Sequence, residues 1–178
     1  MIYRLAAQQV LGVGRPTLRY ALLRQYRDYM DIRLAKSDAE ISACYPVMRE
    51  LRPQVVESAF VSRVRQQEES GYRLAYVQEG TATMAVAGFR IGENLAWGRF
   101  LYVDDLVTLP SQRSRGYGAA LLSWLADLAL REGCDHVHLD SGIQRKDAHR
   151  FYERAGMELV GYHFRKVITR HENLDAAV

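Results

Sequence analysis

The stretch Leu106-Val107-Thr108-Leu109-Pro110-Ser111-Gln112-Arg113-Ser114-Arg115-Gly116-Tyr117-Gly118-Ala119-Ala120-Leu121-Leu122 passes from a β-rich run to an amphipathic helix within a few residues. Leu121, Leu125 and Leu128 recur at helical spacing, with Leu122 and Ala129 beside them, so this helix presents one apolar face. Gly116 and Gly118 leave the amides at its start uncovered by side chains. Such amides, at the positive end of a helix dipole, form a cradle for an anion, and Arg113 and Arg115 add forked donors. A Walker loop is excluded because no Gly-Lys-Ser/Thr follows, and the three-glycine dinucleotide fingerprint is missing.

Working backwards, Trp97 to Leu109, Thr81 to Ile91 and Tyr72 to Glu79 read as three strands of an antiparallel meander. Turns are expected at Glu79-Gly80 and at Gly92-Glu93-Asn94. Before them, Pro53 opens a helical stretch ending near Ser70-Gly71, and Ser37-Asp38-Ala39-Glu40 forms a capping box for a helix reaching about Leu51. A short strand, Asp31 to Ala35, precedes that helix. Working forwards, the cradle helix runs to about Glu132. It is followed by a strand at His136 to Asp140, a helix near Asp147 to Ala155 and a closing strand from Met157 to Ile168. This order implies an α+β fold: a mixed, mostly antiparallel central sheet with helices on both faces.

The whole chain has 178 residues, 48% hydrophobic and 25% charged, the balance of one ordinary globular domain. Two cysteines, Cys44 and Cys134, make neither a disulfide framework nor a zinc knuckle, which points to a reducing, cytoplasmic setting. No apolar run is long enough to suggest a membrane span. Residues 1–29 hold Arg4, Arg15, Arg19, Arg24 and Arg27 against Asp28, a net of +4, so the rest of the formal +3 chain carries −1. The basic character therefore belongs to an N-terminal extension with a helix opening at Pro16, and residues 30–178 form the domain proper. Nucleic acid is not an expected partner of that domain. The extension reads as an appended surface helix or as an over-long start with Met30 the natural initiator; a targeting segment, or a contact of the extension with nucleic acid or an anionic surface, is the other reading of its charge.

Arg113-Ser114-Arg115-Gly116-Tyr117-Gly118 resembles the Gln/Arg-x-x-Gly-x-Gly/Ala signature of the GNAT superfamily of N-acetyltransferases. Ala148-His149-Arg150-Phe151-Tyr152-Glu153-Arg154-Ala155-Gly156-Met157 is similar to that family's late helix. The resemblance covers about Met30 to Lys166. It implies an acetyl-CoA co-substrate, with the pyrophosphate on amides of Arg113, Ser114, Arg115, Gly116, Tyr117, Gly118 and Ala119. The pantetheine arm is then expected along Leu106, Val107 and Thr108, on a strand splayed by a bulge. Two departures from the family are Arg145, where Asn is frequent, and Ser114, where glycine is frequent.

The implied reaction is acetyl transfer to a primary amine of a small molecule or peptide by direct attack, since neither cysteine falls on a motif. The alternative is a non-catalytic acyl-CoA-binding regulatory module. An amine of pKa ~10.4 is unprotonated about once in a few thousand molecules at neutral pH, so a base is needed. Asp104 and Asp105 are the candidates, and strand alternation would put them on opposite faces, with one toward the cleft. The resemblance makes Tyr152 the proton donor to the departing thiolate. Trp97, Arg99, Tyr102 and Ser141 are expected toward the acceptor side. His136 and His138 share a strand face, but even with His163 they lack the helix-borne partner of a metal site, so no metal is expected. The chain is expected to be a monomer or a homodimer.

Overall fold

A computed structural model of the chain describes residues 30–168. The N-terminal extension, with its arginines and its expected helix, lies outside the described residues.

The chain divides into two compact units, the first reaching Gly142 and the second beginning at Ile143. The first holds a five-stranded sheet in the order β1 (Asp31–Leu34), β2 (Arg73–Glu79), β3 (Ala82–Asn94), β4 (Gly98–Thr108), β5 (His136–Leu139). β1 to β4 pair antiparallel, and β5 joins β4 in parallel. The parallel step requires a crossover, which α3 (Tyr117–Arg131) supplies. α1 (Asp38–Met48) and α2 (Glu57–Glu68) connect β1 to β2.

Two apolar layers sandwich the sheet. On one face Tyr117, Leu121, Leu125 and Leu128 of α3 meet Ala75, Val77, Ala87, Phe89, Leu101 and Val103. On the other, Ile41, Cys44, Val47 and Met48 of α1 and Phe60 and Val64 of α2 meet Leu74, Tyr76, Val86 and Val107. Helices thus flank both faces, as the patterning implied. Each wholly buried Leu or Phe contributes about 1.5–3 kcal/mol relative to exposure, so these layers dominate the stability.

The start of α1 is fixed by its capping box. Glu40 N–H donates to Ser37 Oγ at 3.3 Å, while Ser37 N–H and Lys36 N–H donate to Glu40 Oε2 at 2.8 and 3.0 Å. These donors, led by the backbone ones, hold the Glu40 carboxyl down to about 2 from 4.5. A carboxyl with a lowered folded pKa adds stability that is complete above its unfolded value and disappears as pH falls toward the folded one. Equilibrium urea melts are therefore expected to show stability declining between about pH 4.5 and 2, with Glu40→Gln flattening that slope.

α2 begins at Glu57, four residues beyond Pro53, because Val56 holds an extended backbone (φ −81°, ψ 148°). The β3–β4 hairpin turns at 95–97 rather than at Gly92-Glu93-Asn94. Gly92 stays in β3, where a Cβ would come within 3.0 Å of the Phe100 ring. Asn94 makes the turn instead, its Oδ1 accepting from Ala96 N–H at 3.0 Å and Trp97 N–H at 2.7 Å.

The second unit contains α4 (Lys146–Arg154), with Phe151 and Tyr152 half-buried on it. Gly156 follows at φ +86°, the left-handed stop that favours glycine. The expected closing strand from Met157 to Ile168 is not formed: these residues pair with no strand among the described residues, and Leu159, Val160, Tyr162 and Phe164 are exposed. Apolar alternation supplies the face of a strand, but only a ladder partner completes one.

Candidate active site

The decisive feature is a bulge on β4. Gly88 of β3 pairs with Asp105 and Phe89 with Val103, so Asp104 is an extra residue opposite the Gly88/Phe89 step. The insertion reverses the alternation beyond it. Val103 joins the α3-side core and Val107 the α1/α2-side core, while Asp104 and Asp105 both extend toward the α1/α2 face. The expectation that alternation separates the two carboxylates is corrected by this single residue.

Their surroundings differ. Asp105 is 8% exposed and accepts from Arg52 Nε at 2.7 Å and from Tyr72 Oη at 2.9 Å. Arg52 also donates to the Asp104 carbonyl at 2.9 Å, tying the segment after α1 to the bulge. Burial, reinforced by Asp105, raises the Tyr72 phenol well above its usual range, so Tyr72 remains a neutral donor. Its ring lies over Gly88, where a Cβ would sit 1.9 Å from the hydroxyl. The Arg90 guanidinium stacks 5.8 Å from the Tyr72 centroid.

Asp104 is half-buried and takes one side-chain bond among the described residues, from Arg90 Nε to Oδ2 at 2.9 Å. Gln67 Oε1 accepts from the same guanidinium at 3.1 Å. Burial lifts the Asp104 carboxyl above its ordinary 3.8, Arg90 opposing and Asp105 assisting. Both oxygens of Asp105 are thus occupied by neighbours, whereas Asp104, its carboxyl raised by burial, keeps an oxygen for other use. Arg52, Tyr72 and Arg90 escaped the sequence reading because each meets the bulge across a long sequence separation.

β4 and β5 separate at the same place. Their pairing runs from Phe100↔His136 to Val103↔Leu139 and stops. From Asp104 to Thr108 the β5-side edge of β4 meets no described strand, leaving Leu106, Val107 and Thr108 with backbone groups available to an added extended ligand. The edge leads through a 3₁₀ turn (Pro110–Gln112) to Gly116, the N-cap of α3, at φ +86° and without a side-chain cap. The amides of Tyr117, Gly118 and Ala119 lie in the first turn of the helix, with exposed Arg113 and Arg115 before it. Arg115 Nη1 donates to Gln112 Oε1. Ser114 adopts φ +61°, a conformation easier for glycine.

Tyr152, on α4 of the second unit, has its phenol raised by partial burial, with the Arg145 charge acting in the opposite direction. Tyr102 Oη donates to Asp140 Oδ2 at 2.6 Å. Trp97 stacks on His138, centroids 4.1 Å apart. Arg99 does not share their side. Its Nε donates to the Glu132 carbonyl at the end of α3, 2.8 Å away, so it clamps that helix from the opposite face. Ser141 Oγ is buried without a partner among the described residues.

The profile of the acetyltransferase (GNAT) family matches residues 38–157. The uncharacterized N-acetyltransferase YhdJ of Bacillus subtilis (strain 168) is 39% identical over 135 residues, spanning 74% of this chain and 94% of that protein. An aminoalkylphosphonate N-acetyltransferase of Salmonella typhimurium is 36% identical over 66 residues, 37% of this chain and 43% of the relative. Among solved structures, the aminoglycoside N-acetyltransferase AAC(6')-Iy, bound to a bisubstrate analog of CoA, aligns with a TM-score of 0.65 at 16% identity. The alignment covers 81% of this chain and 99% of that one. A transcriptional regulator from Bacillus halodurans C-125 aligns with a TM-score of 0.69 at 20% identity, over 79% of this chain and all of that one. At such identities the structural likeness speaks for the fold.

Proposed function

The chain belongs to the acetyltransferase (GNAT) family, and from that premise we propose that it moves an acetyl group from acetyl-CoA to a primary amine by direct attack where β4 leaves β5. The observation that carries this reading is the coincidence of three features at Asp104: the bulge, the end of β5 pairing and a carboxylate with an uncommitted oxygen. The residues fit the co-substrate. Amides at the start of α3 receive the pyrophosphate, Arg113 and Arg115 add charge, and the free edge at Leu106, Val107 and Thr108 receives the amide-bearing arm.

Asp104 takes the proton from the incoming ammonium. As the new carbon–nitrogen bond forms and the carbon–sulfur bond breaks, the role that the family resemblance gives Tyr152 is to deliver a proton to the sulfur; the second proton, which the nitrogen sheds on becoming an amide, restores the phenol, and the proton on Asp104 leaves to solvent. Asp105, held by Arg52 and Tyr72, keeps the bulge in shape and is the positioning residue of the pair. The two unpaired cysteines, Cys44 and Cys134, favour a reducing, cytoplasmic compartment. Among the described residues, no helix is long and apolar enough to cross a membrane.

The test is thermal stabilisation by acetyl-CoA, which follows mass action for a ligand of the folded state. Gly118→Val should abolish it by placing a branched side chain where the phosphate approaches. An unliganded melt like that of wild type is the control that α3 is intact. Unchanged stabilisation in that variant would refute the cradle. Tyr152→Phe preserves the ring and should lower kcat by ~10² while acetyl-CoA affinity stays within a few-fold. A parallel fall in affinity would assign Tyr152 to positioning instead.

A further inference from the structure

On the α1/α2 face, the β4–β5 ribbon carries successive cross-strand pairs that lead from the hairpin tip to the bulge. Phe100 pairs with His136 and Tyr102 with His138, and next along are Asp104 on β4 and Asp140 just past the end of β5. Trp97 folds back from the tip and lies parallel on His138, 21° between planes, with its ring edge-on to Phe100 at 5.3 Å. Its side chain remains open to solvent, the residue being 41% exposed. One end of this ribbon is therefore an aromatic floor, and the other carries two carboxylates with a phenol between them.

The charges on that face select the ligand. Asp140 holds Tyr102 by a 2.6 Å bond, and burial, assisted by Asp140 and then Asp104, raises the Tyr102 phenol, so it stays neutral beside them. The two nearest arginines are engaged, Arg52 with Asp105 and Arg90 with Asp104. Burial and His136 lower the His138 imidazole below 6.5, so at neutral pH it adds no positive charge under Trp97. An ammonium is welcome here, and an anionic group would meet two carboxylates.

We propose that the acceptor is an arylalkylamine, its ring stacked on the open side of Trp97 and its ammonium between Asp104 and Asp140. Spacing supports the class. Residues two apart on one strand face are ~7 Å apart, so the Trp97–His138 stack and the carboxylates are separated by about the reach of a ring bearing a two-carbon amine. The acetyl donor comes along Leu106–Thr108 from the other end of β4, and the two substrates meet at Asp104. The inference rests on the acetyl-transfer reading above.

The experiment measures kcat/KM by amide formation for 2-phenylethylamine, n-butylamine, spermidine and 2-aminoethylphosphonate, with wild type, Trp97→Ala, Trp97→Phe and Asp140→Asn. Wild type should prefer 2-phenylethylamine to n-butylamine by about tenfold or more, as an added aromatic stack would give. Trp97→Ala should erase that preference, and Trp97→Phe should retain most of it. Asp140→Asn should raise KM for both amines with little change in kcat. A preference for spermidine or 2-aminoethylphosphonate would overturn the substrate class and leave acetyl transfer standing, as would an equal loss for all amines in Trp97→Ala. No amide from any amine would overturn both readings.

Discussion

Asp104→Asn should lower kcat about 10³-fold while leaving acetyl-CoA affinity within a few-fold. Asparagine keeps the shape and can still accept from Arg90, so the bulge is expected to survive, but the amide cannot take a proton. The pH dependence supplies the sign. Because burial raises the Asp104 carboxyl above 3.8, the base form appears as pH increases through that raised value. The wild-type kcat/KM should therefore fall on the acid side with an ionisation attributable to Asp104, and the variant should lack that ionisation. Asp105→Asn provides the contrast: it loses the charge paired with Arg52 and should lower stability more than it alters the acid limb. A variant pair with these effects interchanged would assign the base to Asp105.

Gly88→Val should cost about 3 kcal/mol or more, measured by urea melts at neutral pH. A Cβ at Gly88 would lie 1.9 Å from Tyr72 Oη and 2.4 Å from Cζ, inside the ring rather than beside its flexible end. Relief requires the ring to leave, which strands Asp105 with one of its two side-chain donors. Overpacking alone costs ~1–3 kcal/mol, and a buried carboxylate losing a partner adds to it. Against a total stability of ~5–15 kcal/mol, the loss is large enough to deplete the folded state near physiological temperature. Tyr72→Phe should be milder, since the ring stays over Gly88 and only the hydroxyl is removed.

The elements of the fold were legible because each is signalled locally. Ser37 and Glu40 announce α1, Gly80 at φ +60° turns the first hairpin, and the leucine stripe after Gly118 defines α3 and its apolar face. Local signals fail where a neighbour decides the outcome. Gly92 reads as a turn residue, yet it is a strand residue whose missing Cβ makes room for Phe100. Asp104 and Asp105 read as opposite in direction, yet one inserted residue, defined only by its register against β3, turns them to the same face. The helix start at Gly116 was legible because the change from a β-rich run through Gly116 and Gly118 to the leucine stripe is written within one short stretch. The setting of the two carboxylates was not, because Arg52, Tyr72 and Arg90 reach them from three separate segments. The alternation at Val160, Tyr162 and Phe164 gave the pattern of a strand, but a sequence pattern carries no information on whether a ladder partner is present.

The most direct measurement incubates the full chain with acetyl-CoA and a mixed panel of primary amines, and follows free thiol and acetylated product by mass spectrometry in the same sample. The account predicts thiol and amide in equal amounts, both dependent on protein and both reduced about 10³-fold in Asp104→Asn. Acetyl-CoA that binds and stabilises the protein while neither product accumulates would contradict it, and would make the chain an acyl-CoA-binding module on this fold.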